Sequence, residues 1–497
     1  MKQNKFGFLT IMFFVFGSCV GTGIFFKNSE ILSNTGSIIF SLIAWCLAIF
    51  AVICIAACIK EMAGNSKENV LGNIGWIKTF CQTRFYKGFR NFMIYLYMPV
   101  TIFYLPFYFV QSLMDSLSIF YGNEIVIPFW MMILISFVMV VYLTVVPMFT
   151  KKVAIFQNYL FSFLRFIPLL FGIIGGLIIF VTIRHGSLAN DLISTTLPST
   201  PTQPFSLTSV SPFLGIIASI PAIFFSFDGF YTCSSLEKDM KKPEQFSKAL
   251  VCGIIVVATF YILFSIFTLL AADGGTIIGL NNAWDNNASW VKICKFIFLL
   301  CISFAVFGAM NNWGTYTVTF TQRMFERREV ILFSKNPITS KNKINLIIES
   351  FLVLIFILLT TIGIFYTKLK TTNLYYDEIT CRLFNFVSLI SNWLSLFIFF
   401  GLGFALVGFL FKNKKCKTST KYLAWISIFF ISLSVCFEIT NCFVTLISSI
   451  IWQTQHSSQS LDEFLIPNIL KTLFLFSILS ILFINNNKQG EYWVKTV

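Results

Sequence analysis

The sequence predicts an all-α integral membrane protein with twelve transmembrane helices. Three observations carry this reading: the apolar composition, the lengths of the apolar segments, and the side on which the basic residues fall. Of 497 residues, 57% are hydrophobic and only 11% are charged, with a mean hydropathy of +0.80. Soluble globular proteins carry about 25% charged residues, so a water-soluble enzyme is excluded. The apolar content equally excludes a disordered chain.

A helix needs about 20 apolar residues to cross the hydrocarbon core of a bilayer. The segments that meet this run approximately over 6–33, 36–59, 92–114, 125–147, 153–181, 212–234, 248–271, 293–320, 346–366, 383–411, 422–450 and 464–484. The runs at 131–146 and 472–484 are the plainest, and the first segment is the least regular. With the N-terminus in the cytoplasm, 27 Lys and Arg fall on cytoplasmic segments and 8 on external ones, while Arg165 lies inside the fifth span. Arg323, Arg327 and Arg328, with Lys412, Lys414, Lys415 and Lys417, dominate this asymmetry. They read as topology signals and lipid headgroup contacts. The net charge of +15 therefore indicates a multi-pass protein of the cell membrane with both termini cytoplasmic, and no nucleic-acid partner. The first span also follows Lys2 and Lys5 as a signal sequence would, and Phe16-Gly17-Ser18-Cys19 is similar to a lipoprotein cleavage box. Cleavage there would leave eleven spans and upset the charge asymmetry, so an uncleaved helix is expected. Asn287-Ala288-Ser289 is a glycosylation sequon in an external connection.

The 13 cysteines include no CxxC pair, and most lie in apolar runs, as Cys54 and Cys58 do. Buried free cysteines behave as small hydrophobes, so neither a disulfide framework nor a metal site is expected. The two histidines, His185 and His456, lie far apart and outside the spans. No cofactor is expected. The connections are at most about 30 residues long, too short for a soluble catalytic domain, so whatever the chain does it does within the helix bundle.

Two spans are interrupted. The first contains Gly17-Ser18-Cys19-Val20-Gly21-Thr22-Gly23-Ile24-Phe25, a poor helix former. It can be an unwound stretch whose second half-helix presents backbone N–H groups to an anion such as a carboxylate. It can equally be a close helix contact through small residues. The sixth contains Phe224-Phe225-Ser226-Phe227-Asp228-Gly229-Phe230-Tyr231-Thr232. An Asp beside a Gly in mid-span needs a reason: it can neutralise a substrate amine, carry a coupling proton, pair with Arg165, or cap a helix break. Breaks at the first helix of each of two five-helix sets point to an inverted-repeat transporter with its site near the midplane. The expected division is a ten-helix core over 1–411, with repeats at approximately 6–181 and 212–411, followed by two further helices and a short tail over 412–497.

At these residues the chain resembles the amino acid–polyamine–organocation superfamily. Gly21-Thr22-Gly23-Ile24-Phe25 is similar to that family's first-helix signature, and Phe225-Ser226-Phe227-Asp228-Gly229-Phe230 to its sixth helix. Glu237-Lys238-Asp239-Met240-Lys241-Lys242-Pro243 is similar to the loop that follows, with Lys242 where the family usually has Asn. Glu61 fits the acidic residue that ends its second helix. The resemblance implies a leucine-transporter-type fold with five-plus-five inverted repeats, two extra C-terminal helices and alternating access. It implies that the substrate carboxylate is held by the N–H groups of Thr22 and Gly23 after Gly21, helped by the Thr22 hydroxyl. The amine would meet carbonyls on both broken helices, here those of Cys19, Phe225 and Asp228. Phe225 would cover the substrate, and Trp313 stands where some antiporters have a gating Trp, although a plainly packed Trp reads as well. Many relatives carry Lys where Arg165 stands. Arg does not deprotonate under these conditions, so a proton relay or a sodium ion at that place is disfavoured. Glu438 and Glu349 are secondary candidates for proton coupling, the former more naturally a packing residue and the latter close to the membrane edge.

The expected function is amino acid transport by exchange or uniport across the plasma membrane. Asp228 hints at basic amino acids or polyamines as an alternative, and a non-transporting nutrient sensor or a flippase are further ones. A membrane-embedded enzyme is not expected, because no catalytic groups converge at one depth.

Overall fold

The computed structural model describes residues 7–66, 72–121, 129–149, 151–182, 205–233, 240–272, 275, 277–284, 289–326, 376–413, 416–455 and 465–483. The described chain is helical, with no β-strand beyond a single bridge position at Met240. Helix α1 runs Phe8–Cys19, α2 Thr22–Phe26, α3 Asn28–Thr35 and α4 Ile38–Gly64. They are followed by α5 Asn73–Phe80, α6 Thr83–Phe92, a π-helical turn Met93–Tyr97, α7 Met98–Tyr121, α8 Phe129–Phe149, α9 Lys151–Leu164 and α10 Phe166–Thr182. The remaining helices are α11 Pro212–Phe227, α12 Phe246–Ala271, α13 Ile277–Ala283, α14 Ser289–Glu326, α15 Tyr376–Lys412, α16 Thr418–Gln455 and α17 Ile466–Phe483.

Among the described residues, eight helical segments are long and apolar enough to span a membrane. Three shorter apolar helices, Leu134–Pro147, Phe166–Thr182 and Asn468–Leu482, coincide with the expected fourth, fifth and twelfth spans. The expected ninth span, 346–366, lies outside the described residues, as do Asp239 and Glu349. Large apolar side chains such as Phe13, Phe163, Ile174, Phe213 and Phe429 are more than half exposed. Such a girdle suits hydrocarbon as its solvent.

Local chemistry explains the helix ends near the site. Pro212 opens α11, where its missing N–H is no loss, and the Ser211 hydroxyl accepts a hydrogen bond from the Phe213 N–H at 3.2 Å. Gly36 closes α3 at φ +65°, the left-handed conformation that favours glycine. Helix α14 packs against α7, α8 and α9, while α12 packs against α1, α4 and α10. Helix α11 lies against α3, α4 and α15. These contacts enclose the ends of α1 and α11 in the bundle interior.

Two acidic residues named from the sequence, Glu438 and Glu61, have packing partners. Glu438 on α16 accepts a hydrogen bond from Trp393 Nε1 on α15 at 2.7 Å. The Lys471 ammonium of α17 stands 5.6 Å from the Trp393 ring centroid. This group ties the last two helices to α15. Glu61, at the end of α4, accepts from the Cys416 thiol at 3.3 Å.

Candidate functional site

The site forms where two helices stop in mid-bundle. Helix α1 ends at Cys19, and Val20 turns to an extended conformation (φ −71°, ψ 108°). The chain resumes as a helix at Thr22, with no side chain capping its start. Lys27 keeps an αR conformation between α2 and α3, with its N–H on the Gly23 carbonyl and its own carbonyl accepting from Ile31. The helix therefore continues from residue 22 to residue 35, and the first-turn N–H groups have no partner within it. On the other side, α11 ends at Phe227. Asp228 is extended, and Gly229 takes φ +101° before a 3₁₀ turn over 230–233.

The two breaks touch. A Cβ on Gly23 would lie 2.3 Å from the Ser226 Cα, and one on Gly21 would lie 2.8 Å from the Ala309 Cβ. Real Cβ contacts do not reach those distances. Unwinding and small-residue packing, alternatives in the sequence, therefore occur together here. The Tyr261 hydroxyl of α12 lies 2.8 Å from the Cys19 carbonyl and 2.9 Å from the Ser226 carbonyl, so one donor bridges both broken helices. The Asn312 amide of α14 donates to the Gly17 carbonyl at 2.8 Å. Asn28 accepts from Trp45 Nε1 at 2.9 Å and from the Ser265 hydroxyl at 3.1 Å, which ties the second half of the first span to α4 and α12.

Asp228 is buried and well supplied with donors. Its Oδ2 accepts from the Tyr97 hydroxyl at 2.6 Å and the Ser395 hydroxyl at 2.7 Å, and its Oδ1 from the Gly229 N–H at 2.9 Å. Tyr97 and Tyr231 exchange a further hydrogen bond at 3.0 Å. Tyr97 closes the π-helical turn that precedes α7, a local widening often found at functional sites. The carboxylate thus joins three elements.

Between the breaks lies a small cleft. Cys19, Gly21, Thr22, Gly23, Phe225, Asp228 and Trp313, the residues named from the sequence, all line it. Ser18, Tyr104, Leu105 and Ala309 complete the wall. Two carbonyls expected to receive an amine are already engaged: that of Cys19 by Tyr261, and that of Phe225 by the Asp228 N–H at 3.2 Å. Trp313 packs edge-on against Tyr97 and Tyr316, with ring centroids 5.5 and 5.8 Å apart.

Arg165 does not line the cleft. It sits between α9 and α10, wholly buried, and no guanidinium nitrogen has a hydrogen-bond partner among the described residues. It does not pair with Asp228, whose contacts come from the π-helical turn before α7, α15 and its own turn. Gly308 of α14 faces it so closely that a Cβ there would stand 2.6 Å from Nη2. A buried cation without a counter-charge is expensive. Arg165→Met is therefore expected to leave the melting temperature of the purified protein unchanged or higher, while uptake by the same variant falls. A large drop in melting temperature would show that the guanidinium is structurally required.

A family profile described as amino acid permease matches residues 6–456. The chain belongs to the amino acid permease family. This permease is 29% identical over 494 residues to an uncharacterized protein of Mycoplasma pneumoniae (strain ATCC 29342 / M129 / Subtype 1), covering 90% of this chain and 86% of that one. Its fold is similar to that of MhsT solved in complex with L-phenylalanine: the TM-score is 0.52 at 12% identity, over 88% of this chain and 97% of that chain. It is also similar to a manganese transporter of Eremococcus coleocola solved with an aromatic bis-isothiourea substituted compound. There the TM-score is 0.50 at 13% identity, over 95% of this chain and 94% of that chain. The permease is a multi-pass membrane transporter of the leucine-transporter-type fold.

Proposed function

We propose that this permease carries amino acids across the cell membrane by alternating access, as an exchanger or facilitator, with both termini in the cytoplasm. The observation that carries the reading is the cleft between two touching helix breaks, one offering open N–H groups and the other a carboxylate. A zwitterion fits that pair of partners. Its carboxylate would lie on the N–H groups of Thr22 and Gly23 and the Thr22 hydroxyl. Its ammonium would lie on the Asp228 carboxylate. Phe225 and Trp313 would cover it. Access from either face then requires the two half-helices to part, one side at a time.

Arg165 supports independence from sodium. Its fixed positive charge stands beside the first break, between α9, α10 and α14, and Arg does not release its proton under these conditions. Replacing sodium by choline in the assay buffer is expected to leave uptake unchanged. A tenfold or greater loss, on the order of 1.4 kcal/mol, would contradict the assignment of Arg165 as a resident charge.

The binding step is tested by the melting temperature of the purified protein with each of the twenty amino acids, agmatine, putrescine and spermidine. A ligand at about 100 times its dissociation constant adds roughly 2.7 kcal/mol to the folded state. Stabilisation by amino acids supports the reading. Stabilisation by none of them, from folded protein, would contradict it.

A further inference from the structure

We infer that Lys27 sets which amino acids the cleft accepts, excluding basic side chains and leaving the site to neutral ones with apolar side chains. The inference rests on the amino acid reading above.

Beyond the helix start, Asp228 and the Ser18-Cys19 end of α1, the cleft wall is Tyr104, Leu105, Phe225, Ala309 and Trp313. A side chain extending from a zwitterion held at the breaks meets aromatic and aliphatic surface. Among the described residues, Asp228 is the one carboxylate lining this cleft, and in the reading above it serves the α-ammonium. A second ammonium or a guanidinium would find no acid there.

An aromatic wall can hold a cation through its ring faces, and Phe225 is placed to do so. That ring is already used. The Lys27 ammonium stands 5.0 Å from the Phe225 centroid. Lys27 is wholly buried and held firmly in place. Its Nζ donates to Glu30 Oε2 at 3.0 Å, to the Ser388 carbonyl at 3.1 Å and to the Ser388 hydroxyl. Glu30 is itself consumed by this group, accepting from the Ser388 hydroxyl at 2.6 Å and from Asn392 Nδ2 at 2.5 Å. Lys27 lies one helical turn beyond Gly23, so the helix that starts at the carboxylate end of the cleft also places a cation over its aromatic lid. A basic side chain reaching Phe225 would have to compete for the ring with the Lys27 ammonium, which Glu30 already holds there as an ion pair. A neutral side chain would not.

The experiment is calorimetric titration of the purified full chain with L-alanine, L-leucine, L-phenylalanine, L-lysine and L-arginine, after the twenty-amino-acid melting panel. Wild type is expected to bind at least one neutral member ~100-fold or more tightly than either basic one, the range of a buried charge left without a partner. In Lys27→Met, Glu30 is left uncompensated, and the neutral-to-basic ratio is expected to fall by ~10-fold or more. The pair Lys27→Met/Glu30→Gln removes both charges together, which a buried site tolerates better than losing one. It is expected to fold and to show a smaller fall in the ratio. Basic amino acids bound by wild type as tightly as neutral ones would overturn the inference and leave amino acid transport standing. A folded variant of either kind with an unchanged ratio would overturn the role of Lys27. Failure of all twenty amino acids to stabilise folded wild type would overturn the underlying reading and this inference with it.

Discussion

Gly23→Ala is expected to abolish transport and to destabilise the protein by ~3 kcal/mol or more, the upper range for overpacking a core. The added Cβ would stand 2.3 Å from the Ser226 Cα and 2.7 Å from its Cβ. Both atoms belong to a buried helix, so no flexible chain end can give way. The first span would have to move off α11, and the cleft between them would lose its shape. Gly64→Ala is the matched control. It sits at the end of α4, where an added methyl group would have nothing within 4 Å and the backbone has no positive φ. There a methyl group is expected to be neutral or slightly stabilising, because it restricts the unfolded chain. The check is melting temperature and uptake for both variants. A Gly23→Ala protein that melts and transports like Gly64→Ala would mean that the contact between the breaks is dispensable.

Asp228→Asn is expected to reduce uptake by ~100-fold or more, in line with removing one partner of a buried charge contact. Three donors converge on this carboxylate, from Tyr97, Ser395 and the Gly229 backbone. An amide offers one oxygen and turns an N–H toward whichever donors lose their acceptor. One buried hydroxyl or N–H is left unsatisfied, at a stability loss of ~1–3 kcal/mol. The α-ammonium of every amino acid loses its counter-charge, so neutral and basic substrates are expected to suffer alike. Selective loss of basic substrates, with neutral ones spared, would instead assign Asp228 to side-chain recognition.

The legible part of the site is the part that violates helix chemistry. Gly21, Gly23 and the Asp228-Gly229 pair stand out because a span has little reason to contain them, and Gly21, Gly23 and Asp228 meet at one cleft. The polar residues that support Asp228 carry no such mark. Ser395 is one of several serines in α15, and Tyr97 reaches the carboxylate from the π-helical turn at Met93–Tyr97, which has no local signature. Tyr104 and Leu105 lie in an apolar run where any residue reads as core. Lys27 shows the limit of counting charges by segment. Three residues beyond Ile24 it reads as the external end of a span, whereas the fold buries it completely against α15. Its partner Ser388 lies 361 residues away in sequence, a separation that composition and periodicity do not bridge. Whether Arg165 pairs with Asp228 is open in the sequence for the same reason. Both are isolated intramembrane charges of opposite sign, and their depth in the bundle is clear only once α14 and α15 are in place.

The central claim is that the cleft between the breaks moves an amino acid without sodium. Counterflow into liposomes of the purified permease tests it most directly. Vesicles are loaded with one unlabelled amino acid at a time and given a trace of the same labelled compound outside, with choline in place of sodium. The predicted result is transient accumulation of label for neutral amino acids, absent in Gly23→Ala and strongly reduced in Asp228→Asn. Vesicles of folded protein that accumulate no amino acid in choline, whether or not sodium restores it, would contradict it.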